Sequence, residues 1–594
     1  MSQNTMAAAG LRALSLVLLL ALSAGCGRTP PAAPPAPIVS PQEKAQAAWS
    51  SFAAQYIEDT FKARPFFASS SGRHEFDGQM PDWSAAALAK EVERLKAAHT
   101  QTEAFNAADL TPDQRFEREN LLSILDSDLF WMDRARFPFT NPAWYIDKMD
   151  PEVYLSRDYA PLATRMKAYI SYARAIPQVA TNIRANLHTP MPRTLLERGI
   201  AGFGGFADFY RNDVPKVFAS VQDPAAQKDL AEADAAAAKA MEELKKWLVA
   251  ERKHATEGFA LGEPLFVDLL KSVEGVDTPL PELMKIGQAD LDRNLQALKE
   301  ACAQYLPKGS LRACTQKMEA HKPPEGPVEG ARKQLVDLKA FILAKQIVTI
   351  PGTEEARVAE APPYNRSNIA YINVAGAYDK GVASTYNIAP PDPAWSKKEQ
   401  AEYIPGLADL LYTSVHEVWP GHFLQFLHSN RNPSKIDALW VTDVFAEGWA
   451  HYAEEMMWEE GLSHGDAEQH VGQLTNALER NVRFISAIGL HTQGMTVAQS
   501  ERMFLDSAFL SAGAARQQAA RGTYDPDYLC YTVGKLMIRK LRTDWIAKQA
   551  GADSSADPKA QWHAFHDKFL SYGGPVITLV RKDMLGESSG GSLF

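Results

Sequence analysis

From residue 41 to about 345, apolar residues recur every three to four positions, the period of helices that lie against a core. The clearest stretch is Ala225 to Leu248, where Leu230, Ala237, Met241, Leu244 and Leu248 make one apolar face among charged residues. Helix starts are marked by a capping residue ahead of a proline: Thr111-Pro112, Asp223-Pro224 and Thr278-Pro279. The period changes between about 346 and 390. There "IVTIP", "IAYINVAGAY" and "VASTYNIAP" set β-branched and aromatic residues between turn signals and predict strands. Helical spacing resumes near Ser396 and runs, with breaks, to about Ala550. No internal repeat is present. The pattern predicts a mainly α protein, with a large helical body, a deep central cleft and a small β-sheet near the cleft wall.

The N-terminus departs from this pattern. Arg12 precedes an apolar run, Ala13 to Leu22, that is too short to span a membrane and ends in Ser23-Ala24-Gly25 ahead of Cys26. The stretch "ALSAGC" resembles a bacterial lipoprotein signal, which implies that Cys26 is lipidated after cleavage. Ser23 stands where such signals usually carry a larger aliphatic residue, and an ordinary secretory signal is the alternative. The proline-rich stretch "RTPPAAPPAPIVSP" that follows favours extended polyproline geometry, a stalk between anchor and body. The expected organisation is a signal peptide at 1–25, a linker at 26–41, a helical region at 42–345, and the small sheet with a second helical region at 346–594. The expected location is the bacterial cell envelope: anchored by lipid in the outer membrane facing the periplasm, or free in the periplasm without the lipid. Gly27 is not the Asp that favours inner-membrane retention in such lipoproteins.

Composition narrows the classes of function. The chain has 594 residues, a formal net charge of -10 and 23% charged residues, so it carries no basic footprint for nucleic acid. Beyond Cys26 it has Cys302, Cys314 and Cys530. That is too few for a disulfide framework but enough for one bridge, and Cys302 and Cys314 flank a Pro-Lys-Gly turn. Cys530 stands among apolar and aromatic neighbours that suit a buried thiol.

Candidate chemistry gathers in the second helical region. The segment from Leu407 to Asn430 reads "LADLLYTSVHEVWPGHFLQFLHSN". In His-Glu-x-x-His zinc enzymes two His at i and i+4 share a helical face and bind the ion, with Glu at i+1 as general base. Here the second His is at i+6. On a regular helix i+4 lies about 40° from i, whereas i+6 lies about 120° away, so His416 and His422 would not converge. Pro420 lacks the N–H that would bond back to the carbonyl of His416, and Gly421 tolerates unusual dihedrals. A local distortion of the helix at Pro420-Gly421 is therefore predicted. A following segment, "DVFAEGWAHYAEEMMWEEG", offers Glu447, Glu454 and Glu455, with Glu447 and His451 one turn apart. His451 is an alternative nitrogen ligand to His422. Beyond Glu454, the acidic residues Glu455, Glu459 and Glu460 are expected on a solvated face.

The pair "HEVWPGH" and "EGWAHYAEE" resembles the bacterial domain-of-unknown-function family 885. That family resembles, in overall helical form, zinc peptidases such as angiotensin-converting enzyme, neurolysin and the thermostable carboxypeptidases. The similarity extends over most of residues 45 to 594, with its specific motifs between about 376 and 545. It implies Zn2+ as cofactor, His416, His422 and Glu447 as its ligands, Glu417 as the base and His451 behind them. Two downstream matches imply further roles: "RFISAIGLHTQGMT" contains Arg483 and His491, and "YTVGKLMIRKLR" contains Tyr531 and Arg542. Ala487 and Phe423 depart from the usual pattern, standing where many members carry an acidic residue and a second His.

These assignments make a zinc-dependent hydrolase, with a metallopeptidase acting on short peptides as the preferred reading. Glu417 takes a proton from the water and later delivers it to the leaving amine. Tyr531 and His491 are candidate donors to the oxyanion. Arg483 and Arg542 are candidates to pair with a substrate carboxylate. In related peptidases an extended substrate runs beside an exposed strand, and "GVASTYNI", with Tyr386, is the candidate for that edge. Two alternatives stay open: a zinc amidohydrolase of non-peptide amides or peptidoglycan fragments, and a binding lipoprotein without catalysis on the same fold.

Overall fold

The structure is a computed structural model and describes residues 40–594 apart from 363–364, 367–368, 394, 551–557 and 587–591. The expected signal peptide, Cys26 and nearly all of the linker lie outside the described residues. No helix among the described residues is long and apolar enough to cross a membrane.

The chain is mainly helical, as its periodicity predicts. The first body is built from α1 (Pro41–Ala63), α2 (Ala85–Ala104), α3 (Pro112–Leu129), α4 (Leu162–Asn186), α5 (Arg193–Asn212) and α6 (Pro224–Glu251). Helix α6 begins where the capping signal puts it, with the Asp223 carboxylate accepting from the N–H groups of Ala225 and Ala226. Its five predicted apolar residues are all buried, and it packs against α4 and α5.

The second body continues with α7 (Glu263–Ser272), α8 (Leu280–Tyr305), α9 (Leu311–Ala320) and α10 (Pro327–Lys345). Helix α8 starts one residue later than Thr278-Pro279 implied, with Pro279 as its cap residue. Cys302 of α8 and Cys314 of α9 form a disulfide, and Cys530 is a buried free thiol.

A three-stranded sheet follows, with β1 (Arg357–Glu360), β2 (Ala370–Asn373) and β3 (Thr385–Ile388) in the order β1-β3-β2. β3 pairs parallel with β1 and antiparallel with β2. Two expectations are corrected here. "IVTIP" forms no strand, because its polar groups bond to side chains: the Thr349 N–H to Asp567, and the Ile347 carbonyl to His566. "GVASTYNI" is not an edge, because β3 is paired on both sides; the sheet edge that packs on the helix at Leu407–Glu417 belongs to β2.

The remaining principal helices are α11 (Leu407–Glu417), α12 (His422–Ser429), α13 (Asp443–Glu459), α14 (Ala467–Thr492), α15 (Val497–Ser507), α16 (Ala512–Tyr524), α17 (Cys530–Ala550), α18 (Trp562–Leu570) and α19 (Ile577–Leu585). α14 is the axis of this body, packed by α8, α11 and α17.

The hydrophobic core falls into two clusters that change over near 251–263. One cluster runs from Trp49 to Leu248, joined by Ile436, and the other spans Phe266 to Met584, joined by Phe130 and Ala135. Helices α7 to α10 resemble their predecessors in period, but α8 packs along α14 and so joins the second core.

Candidate metal centre

The predicted distortion is a complete break. α11 ends at Glu417 and α12 begins at His422. Between them Val418 leaves the helical region at φ -126°, the Trp419-Pro420 bond is cis, and Gly421 lies at φ -69°, ψ -133°. The N–H of Gly421 reaches the carbonyl of Val415 at 2.9 Å, six residues back where a helix would use four. Two residues are thus absorbed in one widened turn, and the residue at i+6 arrives beside the residue at i. The turn admits no side chain at 421, since a Cβ there would stand 1.8 Å from the carbonyl oxygen of His416. The indole N–H of Trp449 donates to the Pro420 carbonyl at 2.8 Å and ties the turn to α13.

The Nε2 atoms of His416 and His422 converge on one oxygen of Glu447, at 3.1 and 3.2 Å. The two rings stand at 90° with centroids 4.8 Å apart. Two ligand atoms at zinc–nitrogen distance from a tetrahedral ion are about 3.4 Å apart, close to the two His–Glu447 separations, and all three donor atoms lie within 4.8 Å of one another, so the set has the chemical type of such a site. The side chain of Glu447 is 23% exposed while those of both His are nearly buried, so the triad opens on the Glu447 side.

Glu447 owes its place to a close helix crossing. A Cβ on Gly448 of α13 would lie 2.6 Å from the Cα of Gly534 in α17, so only glycine fits there. The crossing sets Glu447 beside Tyr531, one turn before Gly534. The Tyr531 ring stacks on that of His416 at 6.1 Å.

The charges are arranged around these donors. Glu454 accepts from, or shares a proton with, Nδ1 of His416 at 2.7 Å and Nδ1 of His451 at 3.3 Å, and pairs with Arg480 at 3.5 Å. A carboxylate behind a ligating imidazole fixes its orientation and tautomer. Burial works against charge on His416, but its hydrogen bonds to Glu447 and Glu454 raise its pKa to about 9. Burial opposes the Glu447 carboxylate too, yet His422 and His416 hold its pKa well below the usual range. Glu417 is raised by burial, and the neighbouring Glu447 adds to this. Burial and Glu447 also raise Tyr531, which keeps its proton.

The other predicted site residues fall in several places. His451 is fully buried, and burial and Lys535 lower its pKa to about 4. Its Nδ1 serves Glu454, so it stands behind the triad. Tyr386 is also fully buried, among Ser414 and Glu417, and is corrected from a substrate contact to a prop beneath α11. His491 is corrected as an oxyanion donor. Its Nε2 is held by the Gly522 carbonyl at 2.7 Å, its Nδ1 accepts from the Leu261 N–H at 3.2 Å, and the ring stacks on Phe266. It lines a separate cavity of about 280 Å³ with Met191, Phe259 and Thr523.

Arg542 is corrected in the same way. It donates to the Tyr452 hydroxyl at 2.7 Å and lies over Trp562 at 3.6 Å. Arg483 lies under the Tyr531 ring at 4.9 Å, with its donors on Glu479 and Gln518. Nor are Glu455 and Glu459 a solvated face. Glu455 is buried against Arg293, Arg539 and Lys535, and Lys535 also binds Asp290 at 2.8 Å. That network joins α8, α13 and α17 behind the triad.

Three residues near the centre escaped sequence reasoning: Arg480, Arg521 and Asp443. Asp443 is raised to about 6 by burial and by Glu447 and Asp525, while Arg521 and His422 oppose the rise. In the sequence Arg480 is only one more basic residue of α14.

A crystal structure of a candidate lipoprotein from Colwellia psychrerythraea superposes with a TM-score of 0.76 at 16% identity, covering 91% of this chain and 99% of that one. A candidate lipoprotein of unknown function from Shewanella oneidensis superposes with a TM-score of 0.73 at 24% identity, covering 90% and 99%. Both share the fold. No curated protein matches this chain. A family model covers residues 65–584, nearly the whole body that carries the triad, and the chain belongs to that family, the bacterial proteins of unknown function DUF885.

Proposed function

We propose that this protein is a zinc-dependent hydrolase, a metallopeptidase acting on short peptides in the bacterial cell envelope, carried there on a lipid anchor at Cys26. The observation that supports the reading is the convergence of His416, His422 and Glu447 within 4.8 Å of one another, with Glu417 beside them on the same helix end. Two neutral imidazoles and one carboxylate are a donor set of the catalytic zinc type. A zinc ion held there supplies Lewis acidity, which lowers the pKa of a water and polarises a carbonyl. Glu417, with its raised pKa, is suited to take the water's proton and pass it to the leaving amine. Tyr531, kept protonated by burial and Glu447, can donate its O–H to the developing oxyanion. Glu454 holds His416 in the tautomer that leaves Nε2 as the donor.

The test is zinc analysis of the purified protein with a mixed-peptide cleavage assay on wild type and Glu417→Gln. Wild type is expected to bind one zinc and cleave peptides, and Glu417→Gln to bind one zinc and cleave none. A protein that takes up no zinc, or whose peptide cleavage survives Glu417→Gln, overturns the reading.

A further inference from the structure

The sequence nominates arginines for a substrate carboxylate, but the structure commits Arg483 to Glu479 and Gln518 and Arg542 to Tyr452. The charge left at the opening of the triad is negative, and it belongs to Asp443.

Helix α13 carries Glu447 and is packed on nearly every side. From Asp443 to Met457 all of its residues are buried except two: Asp443, which is exposed, and Glu447, which is half-buried. The two are four residues apart, so their side chains share a face, one turn apart, with about 6 Å between their Cβ atoms. This stretch of the helix therefore meets solvent along a single line, which runs from Glu447, on the open side of the triad, to Asp443.

The fold does not use the Asp443 carboxylate. Among the described residues it makes no hydrogen bond or ion pair, and Arg521, whose charge acts on it, donates instead to Asp525 at 2.7 Å. The helix start is tied down by the preceding residue, Thr442, whose N–H and hydroxyl donate to the Gly574 carbonyl at 2.7 and 3.1 Å. The surrounding protein takes away part of the hydration of Asp443 and, with Glu447, raises its carboxyl to about 6. An unpaired carboxylate that has lost hydration gains from a cationic partner. One residue of extended peptide spans about 3.3–3.6 Å, so a distance of about 6 Å from Glu447 corresponds to one or two residues of a bound peptide.

We propose that Asp443 determines specificity by holding a cationic group of the substrate one or two residues from the bond that is cleaved. Two sources carry that chemistry, a free peptide N-terminus and a basic side chain. The turnover part of this assignment rests on the hydrolase reading, whereas the binding part stands without it.

The experiment measures binding by calorimetry, with and without added zinc, for wild type, Asp443→Asn and Asp443→Glu. The probes are an amidated alanine tripeptide with a free N-terminus, its N-acetyl form, and the N-acetyl form with lysine in the first position. Wild type is expected to prefer a cationic probe over the neutral one by about 10- to 100-fold, the value of a hydrogen bond to a charged group. Asp443→Asn is expected to abolish the preference at unchanged Tm, and Asp443→Glu to keep part of it. The cation that wins, terminal or side-chain, identifies the source. The absence of any cationic preference in wild type, or an undiminished preference in Asp443→Asn, overturns the proposal. A preference lost in Asp443→Asn, in a protein that cleaves nothing, supports the cation site and rejects the peptidase reading.

Discussion

His416 and His422 aim Nε2 at the same oxygen of Glu447, 3.1 and 3.2 Å away, although six residues part them along the chain. The widened turn at 418–421 makes this geometry, and its tightest point is Gly421 against the His416 carbonyl. Gly421→Ala is expected to shift His422 off the shared oxygen. Zinc affinity, read by competition with a chelator, should fall at least about tenfold, and stability by about 2 kcal/mol or more through overpacking. Wild-type affinity in this variant would mean that the turn does not set the ligand spacing.

Glu454 binds no metal in the proposed arrangement but holds His416 from behind at 2.7 Å. Glu454→Gln is expected to weaken zinc binding by about 10- to 100-fold while the triad itself is intact. It should also lower Tm, since Arg480 loses a buried carboxylate partner. An unchanged zinc affinity would rule out the orienting role.

Lys535 is fully buried between Asp290 and Glu455. Its charge holds Asp290 well below the usual carboxylate range against the penalty of burial. Lys535→Met leaves those acids short of a partner and is expected to cost about 3–5 kcal/mol in chemical denaturation. Adding Asp290→Asn should recover part of the loss. If the single variant is as stable as wild type, the network is not what ties α8 to α13 and α17.

Glu274 and Asp527 are both buried, and each acts on the other's ionisation. Burial raises Glu274 to about 7, and burial with the charge of Glu274 raises Asp527 well above its usual value. Their folded pKa values lie above the unfolded ones, so the native state binds more protons. Their contribution therefore makes stability fall as pH rises from about 4.5 through 7. Glu274→Gln is expected to be more stable than wild type at pH 8 by about 1–3 kcal/mol, with the difference gone by pH 5. A difference that does not change with pH would show that the pair shares no proton.

The elements that were legible in the sequence are those set by local rules. Asp223-Pro224 and the apolar stripe of α6 foretold its start and its buried face, and Pro420-Gly421 foretold a break because one residue lacks an N–H and the other a side chain. What was not legible depends on partners distant in sequence. "IVTIP" has strand composition, but its polar groups are taken by Asp567 and His566, and the first strand forms instead at Arg357–Glu360. His491 and Arg542 have the right chemical types for a site. Their donors and acceptors are used up by Gly522, Leu261 and Tyr452, which no local pattern connects to them.

The crossing at Gly448 and Gly534 gives these helices a mechanical gauge. Two hydrogens occupy the space where most proteins place side chains, so each added methyl group acts as a wedge of known thickness between α13 and α17. A graded series at 448, from Ala to Ser to Val, would drive Glu447 outward in steps, and the step at which zinc is lost would measure how much positional slack the centre tolerates.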